Sequence, residues 1–233
     1  MSQNQLTTIT IDGPAASGKT TVGYQLAEEL GYVFLDTGVM YRGVTLATLR
    51  QGVDPNDEAG VTQVALEMAF EVEPEKDHAD GRHYTVLVDG VDSTWEIRSP
   101  AVNQNVSVVS SYAGVRTEMV RMQREFAKGH AVVMVGRDIG TVVLPDAPLK
   151  FYLDASAEIR AKRRMLDSLS PEVAQAEFAK ILADIKRRDE IDSGREHSPL
   201  RPADDAIVID TGLYTPDGVL EQMRAAIRLN KVS

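Results

Sequence analysis

The sequence predicts an α/β fold in which five parallel strands form one sheet and helices cover its faces. Five short, almost uniformly apolar runs are separated by segments of helical spacing, a pattern typical of strands buried on both faces. Four of the five runs are followed by a polar residue or a glycine-rich loop, which indicates a ligand site at the carboxyl edge of the sheet. The five runs cover residues 7–11, 32–35, 131–135, 149–153 and 206–209.

Most of the chain between these runs is predicted to be helical. Apolar spacing places the helices at residues 19–30, 38–49, 100–111, 112–128, 155–167, 171–193 and 217–230. Residues 57–99 differ, because alternating residues on either side of Asp89-Gly90 predict a small antiparallel β insertion. The buried stripe of the helix at 112–128 is predicted to contain Val115, Met119, Met122 and Phe126. The side chains then left for its other faces are Arg116, Arg121 and Arg124.

Composition is that of a globular chain of 233 residues, long enough for one α/β domain with a sizeable core. The net charge of −10 and an isoelectric point of about 4.9 argue against nucleic acid or an anionic membrane as the main partner. The absence of cysteine excludes disulfides, thiolate metal sites and cysteine nucleophiles. Because the N-terminus is polar and no apolar run is long enough to span a membrane, we expect a cytoplasmic protein.

The segment from Gly13 to Thr20 has the spacing of a phosphate-binding loop between a strand and a helix. Glycines let backbone N–H groups turn toward phosphate oxygens, and the following helix adds its positive end. Lys19 is predicted to bridge the β- and γ-phosphates of a nucleoside triphosphate, and the Thr20 hydroxyl to ligate Mg²⁺. The predicted phosphate-binding residues are Gly13, Pro14, Ala15, Ala16, Ser17, Gly18, Lys19, Thr20 and Thr21.

Two clusters of charged residues lie on the helices predicted after the fourth strand. The first contains Arg160, Lys162, Arg163 and Arg164. The second contains Arg188, Asp192 and Arg195, whose spacing puts them on one helical face. A solvated, salt-bridged surface is the alternative explanation. Two nucleotides that meet at a transferring phosphoryl group, however, bring about six negative charges, of which Mg²⁺ offsets about two. We therefore expect this helix pair, joined near residues 168–171, to close over the site as a lid.

Four stretches of the chain, at residues 11–21, 35–42, 135–156 and 185–200, resemble the bacterial cytidylate kinases. They read IDGPAASGKTT, LDTGVMYR, VGRDIGTVVLPDAPLKFYLDAS and IKRRDEIDSGREHSPL. The second and third of them separate that family from adenylate, guanylate and shikimate kinases. The resemblance implies a fold of the P-loop NTPase type and transfer of the γ-phosphate of ATP to CMP or dCMP, with Mg²⁺ as cofactor.

The resemblance also implies roles for individual residues. Thr37 would hydrogen-bond the cytosine, with Tyr41 and Arg42 nearby, and Ser107 and Arg116 would read the pyrimidine ring. Arg137 would hold the acceptor phosphate, and Asp138 would bind the sugar hydroxyls. The monophosphate pocket and lid would be completed by Arg188, Asp192 and Arg195. Arg160 and Arg164 would meet the ATP phosphates. The residues expected to act on the transferring group are Lys19, Arg137, Arg188 and Arg195.

By this resemblance the chain is one kinase domain that acts as a monomer on small-molecule substrates. Its core would comprise residues 1–36, 114–159 and 196–233, its monophosphate-binding region residues 37–113, and its helical lid residues 160–195. We expect Arg137, Arg188 and Arg195 to lie toward the phosphate-binding loop rather than in bulk solvent.

Several alternatives remain open at the level of sequence. Thr37 has helix capping as its alternative role, Ser107 that of a buried hydroxyl, and Arg116 a simple ion pair with Glu118 or Glu125. For the whole chain, the alternatives are a small P-loop kinase for UMP or a non-nucleotide acceptor, and a nucleotide-binding module without catalysis.

Overall fold

In a computed structural model, which describes residues 7–74, 79–166, 171–195 and 198–230, the chain forms a five-stranded and a three-stranded sheet with helices around them. The strands are β1 Thr8–Asp12, β2 Val33–Asp36, β3 Phe70–Pro74, β4 Tyr84–Val88, β5 Val91–Asp92, β6 Val132–Gly136, β7 Leu149–Asp154 and β8 Ile207–Asp210. The helices are α1 Lys19–Leu30, α2 Gly38–Arg50, α3 Glu58–Glu67, α4 Pro100–Val109, α5 Ala113–Ala127, α6 Ala157–Leu166, α7 Pro171–Ser193 and α8 Pro216–Asn230. The joint predicted between the two charged helices, at residues 168–170, lies outside the described residues.

The larger sheet has the order β2-β6-β1-β7-β8, and its central strands pair in parallel. The α/β prediction is therefore confirmed. Burial on both faces holds for the central strands but is wrong for the two edge strands, β2 and β8. In β8, Ile207 is 41% and Val208 59% exposed, because β8 is an edge strand of this sheet. The carboxyl ends of β1, β2, β6 and β7 lead into the segments that carry most of the predicted site residues.

Close packing of α1 on the sheet fixes where the phosphate-binding loop lies. A Cβ atom on Gly23 would come within 2.7 Å of the Val135 Cγ1 atom of β6. The apolar residues of β1, β6 and β7 meet Val22 and Leu26 of α1 and Met223 of α8 in one core cluster. The helix ends at Gly31, whose φ of 67° gives the left-handed cap expected of glycine. The loop therefore leaves a buried strand and enters the N-terminus of a firmly packed helix.

The chain divides into two compact units, one containing residues up to Phe34 and from Gly129 onward, the other containing Leu35–Lys128. In the second unit, β3, β4 and β5 form the antiparallel sheet that alternation predicts. Asp89 and Gly90 turn the chain between β4 and β5 with φ of 52° and 74°. The predicted faces of α5 need one correction. Arg116 is only 4% exposed, whereas Met122 and Phe126 line a cavity of about 290 Å³ instead of being fully buried.

Candidate active site

The phosphate-binding loop has the backbone that its sequence predicts. Gly13, Ala16 and Gly18 have φ angles of 147°, 60° and 93°. A Cβ atom at Gly13 would lie 2.1 Å from the Leu153 carbonyl oxygen, so only glycine fits there. Ala16 adopts the left-handed region without being glycine, which is backbone strain of the kind found at ligand-binding loops. These turns allow successive N–H groups to face one concave site.

A cavity of about 490 Å³ opens at this loop and lies entirely within the first unit. Lys19 bends back over the loop, where its Nζ donates hydrogen bonds to the Pro14 carbonyl oxygen at 2.6 Å and to Ser17 Oγ at 3.3 Å. The residues that line the cavity are Ala16, Ser17, Gly18, Lys19, Thr20, Thr21, Val22, Arg163, Thr211, Tyr214, Pro216 and Val219.

Sequence reasoning missed the part of this cavity formed by the last third of the chain. Arg163 donates hydrogen bonds to Thr211 Oγ1 at 2.9 Å and to the Thr211 carbonyl oxygen at 2.6 Å. Thr211 in turn donates a hydrogen bond to the Ser17 carbonyl oxygen of the loop. Tyr214 follows in the same segment and lines the cavity. The available signal was position, because Thr211 directly follows β8 at the carboxyl edge of the sheet.

The second charged cluster is not a solvated surface. Asp192, 4% exposed, forms ion pairs with both Arg137 and Arg195, the latter at 2.5 Å. The pKa of Arg188 is lowered to about 10 by burial and by the positive charges of Arg164 and Arg137, with Asp192 acting in the opposite direction. The structure thus brings Arg137, Arg188 and Arg195 into electrostatic contact with the Asp192 carboxylate, and Arg164 into electrostatic contact with Arg188. Arrangements of this kind are typical of sites for polyanionic ligands.

Arg160 connects the loop with both charged helices. It is 4% exposed and donates hydrogen bonds to the carbonyl oxygens of Ala155 at 2.9 Å and Ala15 at 3.2 Å. Its guanidinium also pairs with both carboxylate oxygens of Asp189, at 3.1 and 2.5 Å. Lys162, on the same helix, is exposed. The residues of the first cluster therefore differ in their surroundings. Arg160 binds the loop, Arg163 binds Thr211, and Lys162 is exposed to solvent.

Asp138 is the second residue after β6 and is 5% exposed. It occupies the N-cap position of a π-helical turn, Ile139–Val143, yet its side chain makes no capping bond. The N–H groups of Ile139 and Gly140, the first two of this turn, donate instead to Asp12, the last residue of β1. Burial raises the pKa of the Asp12 carboxyl to about 6, although the two N–H donors and Lys19 act in the opposite direction. Sequence reasoning also missed Asp12, whose only signal was an acid directly before Gly13.

The residues predicted to read the base lie in the second unit. The Arg116 guanidinium lies 5.5 Å from the centroid of the Tyr41 ring, and Arg116 donates a hydrogen bond to the Ser110 carbonyl oxygen at 3.2 Å. Ser107 is 8% exposed on α4. Arg42 donates hydrogen bonds to the Ile97 carbonyl oxygen at 3.0 Å and to Asn103 Oδ1 at 2.8 Å, which ties α2 to the start of α4.

Two of the alternative roles are disfavoured by this geometry. Thr37 is 3% exposed and does not cap α2 through its hydroxyl, whereas the Asp36 carboxylate accepts from the Gly38 N–H at 3.0 Å. Glu118 and Glu125 are the two acids considered as simple partners of Arg116. Glu118 forms its ion pair with Arg121, and Glu125 forms its ion pair with Lys128.

The same cavity contains a hydroxyl that could serve a metal ion, that of Thr20. Within residues 7–74, 79–166, 171–195 and 198–230, no group of three or more His, Cys, Asp or Glu could hold a metal ion. Thr20 lines the cavity next to the turns that are predicted to bind phosphate. This donor set fits Mg²⁺, which is commonly held by substrate phosphates, water and few protein oxygens.

None of the helices in the described ranges is long and apolar enough to cross a membrane.

Known proteins are similar to this chain over nearly its whole length. The family model described as cytidylate kinase matches residues 9–229. A cytidylate kinase from Caldanaerobacter subterraneus subsp. tengcongensis is 45% identical over 222 residues, which is 95% of this chain and 95% of that protein. One from Roseiflexus castenholzii is 47% identical over 219 residues, covering 94% and 92%. Among solved structures, an uncharacterized protein from Eubacterium ventriosum shares the fold with a TM-score of 0.50 and 14% identity, covering 96% and 99%.

Proposed function

Because the chain belongs to the cytidylate kinase family, we propose that it transfers the γ-phosphate of ATP to CMP or dCMP, which gives ADP and CDP or dCDP. The observation that carries this proposal is the group of arginines around Asp192. It lies in the same unit as the phosphate-binding loop. A protein that bound only one nucleoside triphosphate at the loop would have no use for a second buried group of cations.

The donor nucleotide is assigned to the cavity at the loop. The backbone N–H groups of Gly13 and of residues 15–21 bind its phosphates together with the Lys19 ammonium, and Arg160 and Arg164 add positive charge from α6. Thr20 holds Mg²⁺, which when bound neutralises part of the phosphate charge. The nucleoside part occupies the end of the cavity lined by Arg163 and Tyr214, which offer a planar cation and an aromatic ring to the base.

The acceptor is assigned to two sets of residues. For the cytidine, these are Thr37, Tyr41, Arg42, Ser107 and Arg116. Arg116 stacked against Tyr41 supplies fixed donors for the acceptor atoms of a pyrimidine edge. Arg137, Arg188 and Arg195 bind the monophosphate, while Asp138 and Asp192 accept from sugar hydroxyls. Since dCMP lacks only the 2′-hydroxyl, it keeps most of these contacts.

Catalysis by these residues is positioning and charge stabilisation. An oxygen of the acceptor phosphate attacks the γ-phosphorus in line, a P–O bond forms, and the bond between the γ-phosphorus and the β–γ bridging oxygen breaks to release ADP. Lys19 and the arginines stabilise the charge on the equatorial oxygens. No covalent enzyme intermediate is involved. Residues 160–195 act as the lid that excludes water as a competing acceptor.

The whole reaction is assigned to one chain acting as a monomer in the cytoplasm. Every residue named for ATP and CMP comes from the same polypeptide, so the assignment requires no partner subunit.

A coupled assay of ADP release across CMP, dCMP, UMP, AMP and GMP tests the proposal. We expect CMP and dCMP to be the best acceptors, with purine nucleotides slower by at least about 100-fold, because a pocket built for a pyrimidine edge leaves polar groups unpaired against a purine. UMP as the best acceptor would move the assignment to uridylate. Binding of ATP with no acceptor-dependent ADP release would favour the non-catalytic binding module.

A further inference from the structure

Asp12 makes a two-point contact that no local sequence pattern predicts. It is the last residue of β1 and directly precedes Gly13 of the phosphate-binding loop. Its Oδ1 atom accepts a hydrogen bond from the Ile139 N–H at 2.8 Å, and its Oδ2 atom accepts one from the Gly140 N–H at 2.7 Å. One buried carboxylate therefore binds the first two N–H groups of the π-helical turn.

This contact does the work that the residue at the N-cap position would ordinarily do. Asp138 occupies that position with φ of −145° and ψ of 24°, and its carboxylate makes no capping bond. Aspartate is among the strongest N-cap residues, so an Asp that leaves this role to a side chain from another strand is unusual. Because Asp12 satisfies the N–H groups, the Asp138 carboxylate is not required for them.

The turn is also pressed tightly against β1. A Cβ atom on Gly140 would lie 2.9 Å from Thr10 Oγ1 and 3.4 Å from Asp12 Oδ2. Register adds to this restraint, because Asp12 pairs with Gly136 in the parallel ladder between β1 and β6. Arg137 and Asp138 are the two residues between that ladder position and the first N–H that Asp12 binds.

We propose that Asp12 is a positioning residue of the phosphotransfer reaction: it fixes Arg137 and Asp138, which bind the acceptor, relative to the loop that binds the donor. This inference rests on the proposed function. Gly13 follows Asp12 without an intervening residue, so the carboxylate holds the acceptor segment at a fixed position relative to the donor loop. The burial that raises the pKa of Asp12 also implies that this carboxylate is retained at a cost in free energy.

The test is Asp12→Asn, which keeps the shape of the side chain but replaces one acceptor oxygen with an N–H₂ group facing an N–H donor. We expect kcat to fall about 10- to 100-fold, since small misplacements of reacting groups have effects of that size. The KM for CMP should rise about 5-fold or more, with the KM for ATP within about 2-fold of wild type. An equal change in both KM values, or no change in either constant, overturns the proposal.

Asp205→Asn is the matched control. Asp205 accepts a hydrogen bond from Lys150 of β7 at 2.9 Å, and it lies in the same unit outside the proposed site. Breaking this pair should leave both KM values within about 2-fold of wild type, as expected of a partly exposed ion pair. A rise in the KM for CMP equal to that of Asp12→Asn would show that any weakening of the sheet has this effect, and would overturn the positioning role.

Hydrogen exchange on the wild-type chain separates this inference from the proposed function. In the absence of nucleotides, the Ile139 and Gly140 amides should be protected to the same degree as the paired amides of β1, because both are held by a buried carboxylate. Exchange at the rate of an exposed loop overturns the contact whatever the chain catalyses. Conversely, protected amides in a chain that does not phosphorylate CMP would refute the proposed function but leave the contact between Asp12 and the turn intact.

Discussion

Single residues around Asp192 show how a site for anions is maintained before an anion arrives. Burial and nearby like charges both disfavour the charged form of a side chain, and both lower the pKa of an arginine. The pKa of Arg188 is lowered first by burial and then by the positive charges of Arg164 and Arg137, and Asp192 offsets only part of this effect. Arg137 and Arg195 already share the Asp192 carboxylate, so an incoming phosphate completes the charge balance of this group. The arrangement favours ligand binding at the expense of stability.

Arg188→Ala is expected to separate activity from stability. Turnover should fall by at least about 100-fold, as is typical when a donor to a transferring phosphoryl group is removed. The unfolding midpoint should stay level or rise, because a repulsive buried charge is lost. Steady-state kinetics and denaturant unfolding of the same preparation check both parts.

Lys162→Ala is the comparison variant, because it also removes one positive charge and Lys162 is exposed on α6. Arg163, although adjacent, is unsuitable because it lines the cavity and binds Thr211. We expect turnover of Lys162→Ala within about 2-fold of wild type, as for most solvated charges. Similar losses in the two variants would mean that net charge, not the group around Asp192, sets the rate.

Some residue-level features could not be predicted from the sequence. Helical periodicity places Arg116 outside the apolar stripe of α5, and it cannot register a guanidinium that is buried by stacking on Tyr41. Asp12 binds N–H groups 127 and 128 positions away, so no local spacing reveals it. By contrast, the face shared by Arg188 and Asp192 follows from helical geometry alone. Arg195 lies beyond Ser193, where α7 ends, and it meets Asp192 through an ion pair.

Among the secondary-structure elements, the central strands and α1 were predictable because one apolar pattern fixes both their type and their burial. The phosphate-binding loop followed for the same reason, since its spacing only works between a buried strand and a helix. The π-helical turn Ile139–Val143 escaped prediction because its sequence, IGTVV, reads equally well as the continuation of a strand. Exposure of β8 depends on its place at the sheet edge, which periodicity does not encode.

Gly23→Ala tests whether close approach of α1 to the sheet fixes the loop. The new Cβ atom would meet Val135 Cγ1 at 2.7 Å and Phe34 Cε2 at 3.1 Å, so side chains must shift. We expect a loss of about 1–3 kcal/mol in the free energy of unfolding, the usual effect of overpacking a core. Urea unfolding measures it. A gain of about 1 kcal/mol, the propensity effect at an open helical position, would contradict tight packing of α1.

For the molecule as a whole, the distribution of charge matters more than its total. The chain carries a net charge of −10, yet its candidate substrates are polyanions. An acidic surface repels them in general and leaves the loop and the arginines around Asp192 as favoured places for a phosphate. Selectivity for a nucleotide over its nucleoside should therefore be unusually clear in this protein.

Thermal unfolding with CMP and with cytidine makes that expectation measurable. A ligand that binds only the folded chain at about 100 times its Kd stabilises by about 2.7 kcal/mol, which for a chain of this size raises the midpoint by roughly 5–10 °C. Cytidine at the same concentration keeps the contacts to the base but not those to the arginines, so its shift should be below about 1 °C. The Arg188→Ala variant should reduce the CMP shift toward the cytidine value, because Arg188 acts on the phosphate. Equal shifts for CMP and cytidine in the wild-type chain would mean that the base contacts alone hold the acceptor, and the arginines around Asp192 would then need another ligand.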